Sequence, residues 1–141
     1  MADDIGDFSR SMGIATSGLR AQAGRMRVIS ENIANADSTA SNPGADPYRR
    51  KVPTFVSQLD RALDARTVTL GKIAQDTSSF RTKYEPSNPA ADPNGYVKYP
   101  NVNPLIEMTD MREAQRSYEA NLNIISATRR MIQRTLDILK A

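Results

Sequence analysis

Acid–base chemistry in this chain would have to rest on carboxylates, because its 141 residues include no His and no Cys. That inventory excludes the usual zinc sites, serine triads and cysteine–histidine dyads. Paired carboxylates can act as acid and base, but the acidic residues here are scattered along the sequence, outside clearly apolar contexts. We therefore predict no catalytic residue and no enzymatic activity.

Metal and cofactor sites are not predicted either. The stretch Asp92-Pro-Asn-Gly95 resembles the start of a calcium loop, but the alternating oxygen ligands and the closing Glu of such a loop are missing. Neither G-x-x-x-x-G-K-[ST] nor G-x-G-x-x-G occurs, so the sequence has no glycine-rich phosphate cradle. We expect the protein to work without a metal or a cofactor.

The densest basic cluster is Tyr48-Arg49-Arg50-Lys51. It fits nucleic-acid contact or a strand edge whose charges discourage unwanted pairing. We favour the strand edge, because neither an aromatic platform nor a second basic stripe accompanies the cluster. The formal net charge of +3 is also spread evenly, since residues 1–36, 37–104 and 105–141 carry 0, +2 and +1. Such a distribution lacks the basic footprint of a phosphate-binding protein, and we expect no nucleic-acid partner.

The elements that must position any site are two long helices, one at each end of the chain. Across residues 5–36, apolar side chains follow a 3-4 alternation that only Gln22 interrupts. Such spacing predicts a helix whose apolar seam packs lengthwise against other helices. Three glycines within it, Gly13, Gly18 and Gly24, either mark close helix contacts or fray the helix, and both alternatives stay open here.

The last segment repeats this pattern and adds a second apolar stripe. Its seam is interrupted by Gln115 and Arg129. The second stripe, formed by Ile124, Met131 and Ile138, lies about 100° around the helix from the seam. One partner helix covers one stripe, so two stripes predict more than one neighbouring helix. The residues assigned to helix packing and assembly are Leu19, Met26, Ile29, Asn32, Ile33 and Asn35 in the first helix and Tyr118, Leu122, Ile124, Ile125, Met131, Ile132, Leu136 and Leu139 in the second.

The middle of the chain is rich in turn residues. The stretches 38–47 and 85–95 combine Pro, Asn, Ser and Asp, and Asp92-Pro-Asn-Gly95 is a candidate tight turn. A helical turn is predicted at 59–66. Short strands are predicted at Val52–Val56, Thr67–Ile73, Phe80–Tyr84 and Tyr96–Tyr99.

Together these patterns predict a mainly α fold. Long N- and C-terminal helices pack as an antiparallel, coiled-coil-like pair, and a small β-rich or irregular insertion lies between them. The expected segments are an N-terminal axial helix at 1–36, the insertion at 37–104 and a C-terminal axial helix at 105–141. Because only 39% of the residues are hydrophobic and none is Trp, we expect a thin core.

Several stretches carry a family resemblance. ENIANADST at 31–39 resembles the Asn-Ile-Ala-Asn signature near the N-terminus of flagellar rod and hook proteins. A longer loop than in other rod and hook relatives leads from it to Asp46-Pro47-Tyr48, which favours the proximal-rod, FlgC-type branch of that family. The stretches that closely resemble this branch are PYRRKVPTF (47–55), GYVKYPNVNPLIEMTDM (95–111) and EAQRSYEANLNIISATRRMIQRTLDI (113–138).

The resemblance implies a structural subunit of the bacterial flagellar basal-body rod, exported unfolded through the flagellar type III apparatus into the periplasm. In that family the terminal helices of neighbouring subunits pack into a tube that transmits torque and encloses the export channel. The implied partners are copies of the chain, other rod proteins and export-gate or adaptor subunits of the basal body. A thin core suits helices that neighbours complete on assembly.

Two sequence features agree with that route. The N-terminus has no cationic region followed by an apolar core, so we expect no cleavable signal peptide. No run approaches the ~18 apolar residues of a membrane span, so no membrane span is expected.

In a tube, Asn32 and Asn35 would do more than end a helix. We hypothesise that both hydrogen-bond backbone at the bend and fix where the insertion leaves the tube.

Three other functions fit parts of the sequence less well. A nucleic-acid-binding accessory protein fits the sequence pI near 9.4, but not the even charge of the segments. A peptidoglycan-associated accessory protein or wall enzyme is the second alternative, and the missing His, Cys and paired acids oppose the enzyme. A peripheral membrane helix is the third, and its polar faces lack the Trp and the uniform charge of interfacial anchors.

Overall fold

The computed structural model describes residues 2–140 and the side chains from residue 6 onward. Helix α1 spans Ala2–Ala34 and helix α2 spans Pro104–Lys140, with six short strands between them. The two helices pack together, a small strand-containing insertion lies between them along the chain, and 49% of the chain is helical. The predicted fold class is therefore confirmed.

The strands form three antiparallel pairs, in which β1 pairs with β4, β2 with β3 and β5 with β6. A single two-stranded pair is marginally stable in water, so each depends on the helices and loops around it. In chain order the strands are β1 (Lys51–Val52), β2 (Phe55–Asp60), β3 (Ala65–Leu70), β4 (Ala74–Gln75), β5 (Arg81–Tyr84) and β6 (Tyr96–Tyr99).

The helical turn predicted at 59–66 is wrong. Its ends belong to β2 and β3, and a tight turn joins these strands. The Asp60 carboxylate accepts the backbone N–H groups of Ala62 at 2.9 Å and Leu63 at 3.3 Å, and Asp64 adopts a φ of 46°. An Asp side chain that bonds backbone two residues ahead offers the chain a turn in place of a helix.

Two compact units divide the chain, and each combines parts of both helices with part of the insertion. Unit 1 comprises Met1–Met26, Thr54–Lys72 and Glu113–Ala141, and unit 2 comprises Arg27–Pro53 and Ile73–Arg112. The segments predicted from the sequence give the order of elements along the chain, and their separate roles stay a prediction. Within residues 2–140, no helix combines the length and the apolar character that a membrane crossing requires.

In unit 1 the two helices run antiparallel at close distance. A Cβ atom added to Gly18 would lie 2.8 Å from the Oδ1 atom of Asn121, and Arg25 forms an ion pair with Glu113 at 3.6 Å. Residue numbers thus rise along α1 as they fall along α2. The contact is lined mainly by small residues, because Ala15, Gly18, Ala21, Ala114 and Thr128 are all buried.

The β2–β3 hairpin covers another part of α1 in unit 1. Leu63 and Leu70 lie over glycines, since a Cβ atom at Gly13 would come within 2.5 Å of Leu63 and one at Gly24 within 2.9 Å of Leu70. The backbone N–H of Val68 donates to the Ser17 hydroxyl at 3.2 Å. The three helix glycines are therefore contact points, and α1 continues through all of them.

Unit 2 builds its core from the β5–β6 hairpin and the segment after it. Val97 and Val102 are 0% and 1% exposed. The turn predicted at Asp92–Gly95 is formed, because the Gly95 N–H donates to the Asp92 carbonyl at 2.9 Å and Gly95 has a φ of 83°. That left-handed conformation is one that glycine adopts without strain.

Candidate assembly site

Asn32 joins the end of α1 to the start of the insertion in unit 2. Its side chain is buried, with 1% of the residue exposed. Its Oδ1 accepts the Lys51 backbone N–H at 2.9 Å and its Nδ2 donates to the Lys51 carbonyl at 2.8 Å, so the amide pairs with β1 as a neighbouring strand would. The Tyr48 hydroxyl donates to the same Oδ1 at 2.9 Å, and burial raises the pKa of that phenol.

Glu107 of α2 meets Asn32 at this point. It is 0% exposed, and its carboxylate accepts Nδ2 of Asn32 at 3.0 Å and Nε of Arg50 at 2.6 Å. A buried carboxylate is tolerated only when it is paired and hydrogen-bonded, and both conditions hold here. We call Asn32, Arg50 and Glu107 the polar junction. It links α1, the segment leading into β1, and α2 within one unit.

Arg50 is the cation of the polar junction and faces three carboxylates. Besides Glu107, it lies 3.6 Å from both Asp76 and Asp110. Burial disfavours its charge, but the hydrogen bond and attraction of Glu107, with the two aspartates behind it, raise the pKa of the guanidinium above its ordinary value. Hydrogen bonds from Ser78, together with Arg50, lower the pKa of Asp76. Both pKa shifts favour the charged forms of Arg50 and Asp76, which form an ion pair.

Asn35 has a different, local role. Its Nδ2 donates to the Glu31 carbonyl at 2.9 Å, and its own carbonyl accepts the backbone N–H and the hydroxyl of Ser38. These bonds satisfy the open carbonyls at a helix C-terminus. The bond to the insertion is therefore made by Asn32, while Asn35 ends α1. That either asparagine fixes where the insertion leaves a tube stays a prediction.

The basic cluster is engaged in contacts inside unit 2. The Arg49 guanidinium donates to the carbonyls of Asp76 and Ser78 at 3.1 and 3.2 Å and lies 4.2 Å from the ring centre of Phe80. Lys51 forms an ion pair with Glu31 at 2.8 Å. Together with the bonds of Arg50, these contacts assign the cluster to holding the insertion on the helix ends.

Helix α2 exposes large apolar side chains in unit 1, although it also packs on α1 there. Ile138 is 76% exposed, and the others are close to half exposed. Soluble monomers expose single apolar side chains routinely, whereas contiguous apolar patches mark interaction sites. The exposed set is Leu122, Ile124, Met131, Leu136, Ile138 and Leu139.

The residues predicted for packing and assembly fall into three groups. The buried ones are Ile29 and Asn32. The half-buried ones are Leu19, Met26, Ile33, Asn35, Tyr118, Ile125 and Ile132. The exposed ones are Leu122, Ile124, Met131, Leu136 and Leu139. Contact with α1 thus leaves the predicted second stripe uncovered, and it covers the first seam only in part. Their roles in assembly stay predictions.

Sequence reasoning missed Arg50 and Glu107 as partners. Acidic residues are common in the first turns of helices, where the helix dipole favours them, so Glu107 gives no sign of burial. The N-terminal cap of α2, close to Glu107, does have a signal in the sequence. Pro104 occupies the first position of α2, and the Asn103 side chain accepts the Leu105 N–H at 3.1 Å. Among the residues with described side chains, no group of three or more His, Cys, Asp or Glu is placed to hold a metal ion.

Two long antiparallel helices, a small insertion and an uncovered apolar face define a structural two-helix subunit. Comparison with known proteins specifies the class further. The model for flagella basal body rod proteins matches residues 12–40, and the model for the C-terminal part of flagellar basal body rod FlgEFG proteins matches residues 94–138.

Curated relatives cover nearly the whole chain. The flagellar basal-body rod protein FlgC of Agrobacterium fabrum is 56% identical over 95% of this chain and 96% of its own length. The proteins of the same name from Bacillus subtilis and Salmonella typhimurium are 39% and 40% identical over 92% and 89% of the chain, and over 97% and 92% of their own lengths. The chain therefore belongs to the FlgC family of flagellar basal-body rod proteins. It is a structural subunit of the basal body, not an enzyme.

Proposed function

We propose that the protein self-assembles through its terminal helices into a tube that transmits torque along the rod and encloses the export channel. It is exported unfolded through the flagellar type III apparatus and is built into the rod in the periplasm. Its partners are copies of itself, other rod proteins and export-gate or adaptor subunits of the basal body. Family membership supports the location, and the surface of α2 supports the assembly.

The uncovered apolar face of α2 carries the proposal. Six large apolar side chains are at least 43% exposed between residues 122 and 139. Burying a Leu, Ile or Met side chain fully contributes roughly 1.5–3 kcal/mol, so completing their burial would favour association by several kcal/mol per subunit. The free chain gains none of this, and neighbouring subunits supply it.

The other surfaces of α2 and the polar junction fit the mechanical role. Asn123, Arg130 and Arg134 lie on the side of α2 opposite Asn121, which faces α1, and all three are exposed. A polar face of this kind suits contact with the water of a channel. In unit 2, the polar junction fixes the insertion to both helices through buried charged hydrogen bonds, so force applied to the insertion reaches the helices without a flexible linker.

Substitution on the exposed face tests the assembly. The double variant Ile124→Ser, Met131→Ser should keep the helix content and the thermal unfolding of the purified subunit, because both side chains already contact water. In cells where it replaces the natural protein, it should be exported but absent from purified basal bodies, and the cells should not swim. The matched control is Asn123→Ser, Gln133→Ser, which changes exposed polar residues of the same helix. Normal rods and swimming with the apolar double variant would overturn the proposal.

A further inference from the structure

In unit 1, five of the six exposed apolar residues of α2 form two separate stripes on either side of the face that packs on α1. With about 100° per residue, Ile124, Met131 and Ile138 lie within roughly 20° of one line, which we call the isoleucine–methionine stripe. Leu122 and Leu136 lie roughly 140–180° away and form the leucine stripe. All five are exposed in unit 1.

The face between the stripes is the one already covered by α1. Asn121, against which Gly18 packs, and the buried Thr128 lie roughly 60–80° from the isoleucine–methionine stripe. The leucine stripe lies about as far away on their other side. Each stripe therefore continues the α1–α2 interface at one of its edges. A further helix can pack at each edge without disturbing the existing pair.

We propose that the isoleucine–methionine stripe of one copy packs on the leucine stripe of the next copy. This inference rests on the proposed self-assembly and names the surfaces that meet. A single kind of contact then covers both stripes of every copy. Because the two surfaces differ, the contact is heterologous, and such contacts build rings or open helical filaments instead of closed dimers.

The position of Arg129 opposes an alternative in which two leucine stripes pair about a two-fold axis. Arg129 lies midway between Leu122 and Leu136 on the same line of the helix and is exposed. Antiparallel pairing that sets Leu122 against Leu136 of a second copy must set Arg129 against the second Arg129, because Arg129 lies seven residues from each leucine. Like charges in direct apposition are destabilising. The leucine stripe is thus a poor partner for itself.

Parallel packing of the unlike stripes removes this conflict. Both stripes repeat every seven residues, the spacing of a helix–helix seam. Aligning them sets Ile124 beside Leu122 of the next copy and Ile138 beside Leu136, while Met131 meets the aliphatic stem of Arg129. Long cationic side chains cover apolar surface in this way and keep the charged group in water.

Cysteine cross-linking tests the pairing, and the natural sequence contains no cysteine to interfere. The key variant is Ile138→Cys, Leu136→Cys, with Ile124→Cys, Leu122→Cys as a second pair and Met131→Cys, Leu136→Cys for a shift of one heptad. The two thiols of the 138/136 and 124/122 variants lie on nearly opposite sides of one helix and cannot bridge within a chain. Basal bodies are purified from swimming cells, oxidised and analysed on denaturing gels. Each constituent single-cysteine variant and Asn123→Cys, on the polar side, serve as controls.

We expect a ladder of cross-linked copies from at least one double variant and monomer from each single variant and from Asn123→Cys. Dimers from a single-cysteine variant would show like stripes meeting and would overturn the inference. Rods that contain the protein but give no ladder with any pair would also overturn it, while leaving the proposed assembly intact. Absence of the natural protein from purified rods would overturn the proposed function itself.

Discussion

Unit 2 buries polar side chains that satisfy one another, whereas the buried residues of unit 1 are mainly small. The most deeply buried side chains of unit 2 include Glu107 and Asn32 beside Val97 and Val102. Unit 1 buries mainly alanine, glycine and threonine between its helices and exposes six large apolar residues of α2. Both units expose large apolar side chains of α2, since Leu105, Ile106 and Met108 of unit 2 are 74%, 53% and 50% exposed. Unit 2 differs by its buried polar junction.

The polar junction and the exposed apolar residues give the subunit two different properties. Buried charged hydrogen bonds demand a specific geometry, so unit 2 holds the insertion in one arrangement. Exposed apolar surface favours association, and the six exposed apolar residues of α2 in unit 1 contribute to that driving force. Substitutions in the polar junction should act on the stability of the single chain. Those on the exposed face of unit 1 should act on assembly.

The largest effect is expected from Glu107→Ala. The change leaves Arg50 without its closest carboxylate and Asn32 without one acceptor, and breaking a buried ion pair costs roughly 3–5 kcal/mol. Urea unfolding of the purified chain, followed by tyrosine fluorescence, measures this free energy, because four of the five tyrosines lie in unit 2. Glu113→Ala is the control, since its carboxylate is 66% exposed and pairs with Arg25 at 3.6 Å. Equal effects of the two variants would contradict the contrast between the units.

The second effect separates the two asparagines. Asn32→Ala removes both hydrogen bonds to the Lys51 backbone and should lower the free energy of unfolding by roughly 2–3 kcal/mol, because half-buried backbone groups lose their partners. Asn35→Ala removes one local bond at the helix end and should stay within about 0.5 kcal/mol of the natural chain. The same urea experiment compares them. A larger loss with Asn35→Ala would mean that the bonds at the helix end contribute more to the free energy of unfolding than the bonds to β1 do.

How far these features could be predicted depends on whether their signal is local. The helices, the second stripe and the turn at Asp92–Gly95 follow from periodicity and turn residues, and the structure has all of them. The polar junction joins residues 32, 50 and 107, whose proximity no local pattern expresses. The hairpin at 55–70 was missed at its turn, because alanine, leucine and arginine between two aspartates favour a helix as readily as a turn.

The third effect concerns the close helix contact of unit 1. Gly18→Val places new methyl groups where the Asn121 amide lies and should cost about 1–3 kcal/mol by overpacking. Gly6→Val is the matched control, since a Cβ atom there meets nothing within 4 Å. Thermal unfolding followed by circular dichroism should show a lower midpoint for Gly18→Val only. Adding Asn121→Ala to Gly18→Val should restore part of the lost stability. If the midpoint does not recover, overlap with the Asn121 side chain is not the cause of the loss.

The smallest effect is the pH dependence of unit 2 through Glu85. Hydrogen bonds from Lys83, Asn88 and Tyr99 lower the pKa of this carboxyl from 4.5 to about 2. A lowered pKa in the folded state stabilises the fold above the unfolded value, and this contribution is lost as the pH falls through the folded value. The difference in stability between the natural chain and Glu85→Gln should therefore be constant above pH 4.5 and shrink steadily toward pH 2.

The variant Tyr99→Phe removes one of the three hydrogen-bond donors to Glu85. It should narrow the pH range over which this stability is lost, because fewer hydrogen bonds then hold the carboxylate charged. Urea unfolding at intervals between these pH values measures the free energy of unfolding of each variant. A difference that stays unchanged down to pH 2 would assign the acid sensitivity of unit 2 to another group.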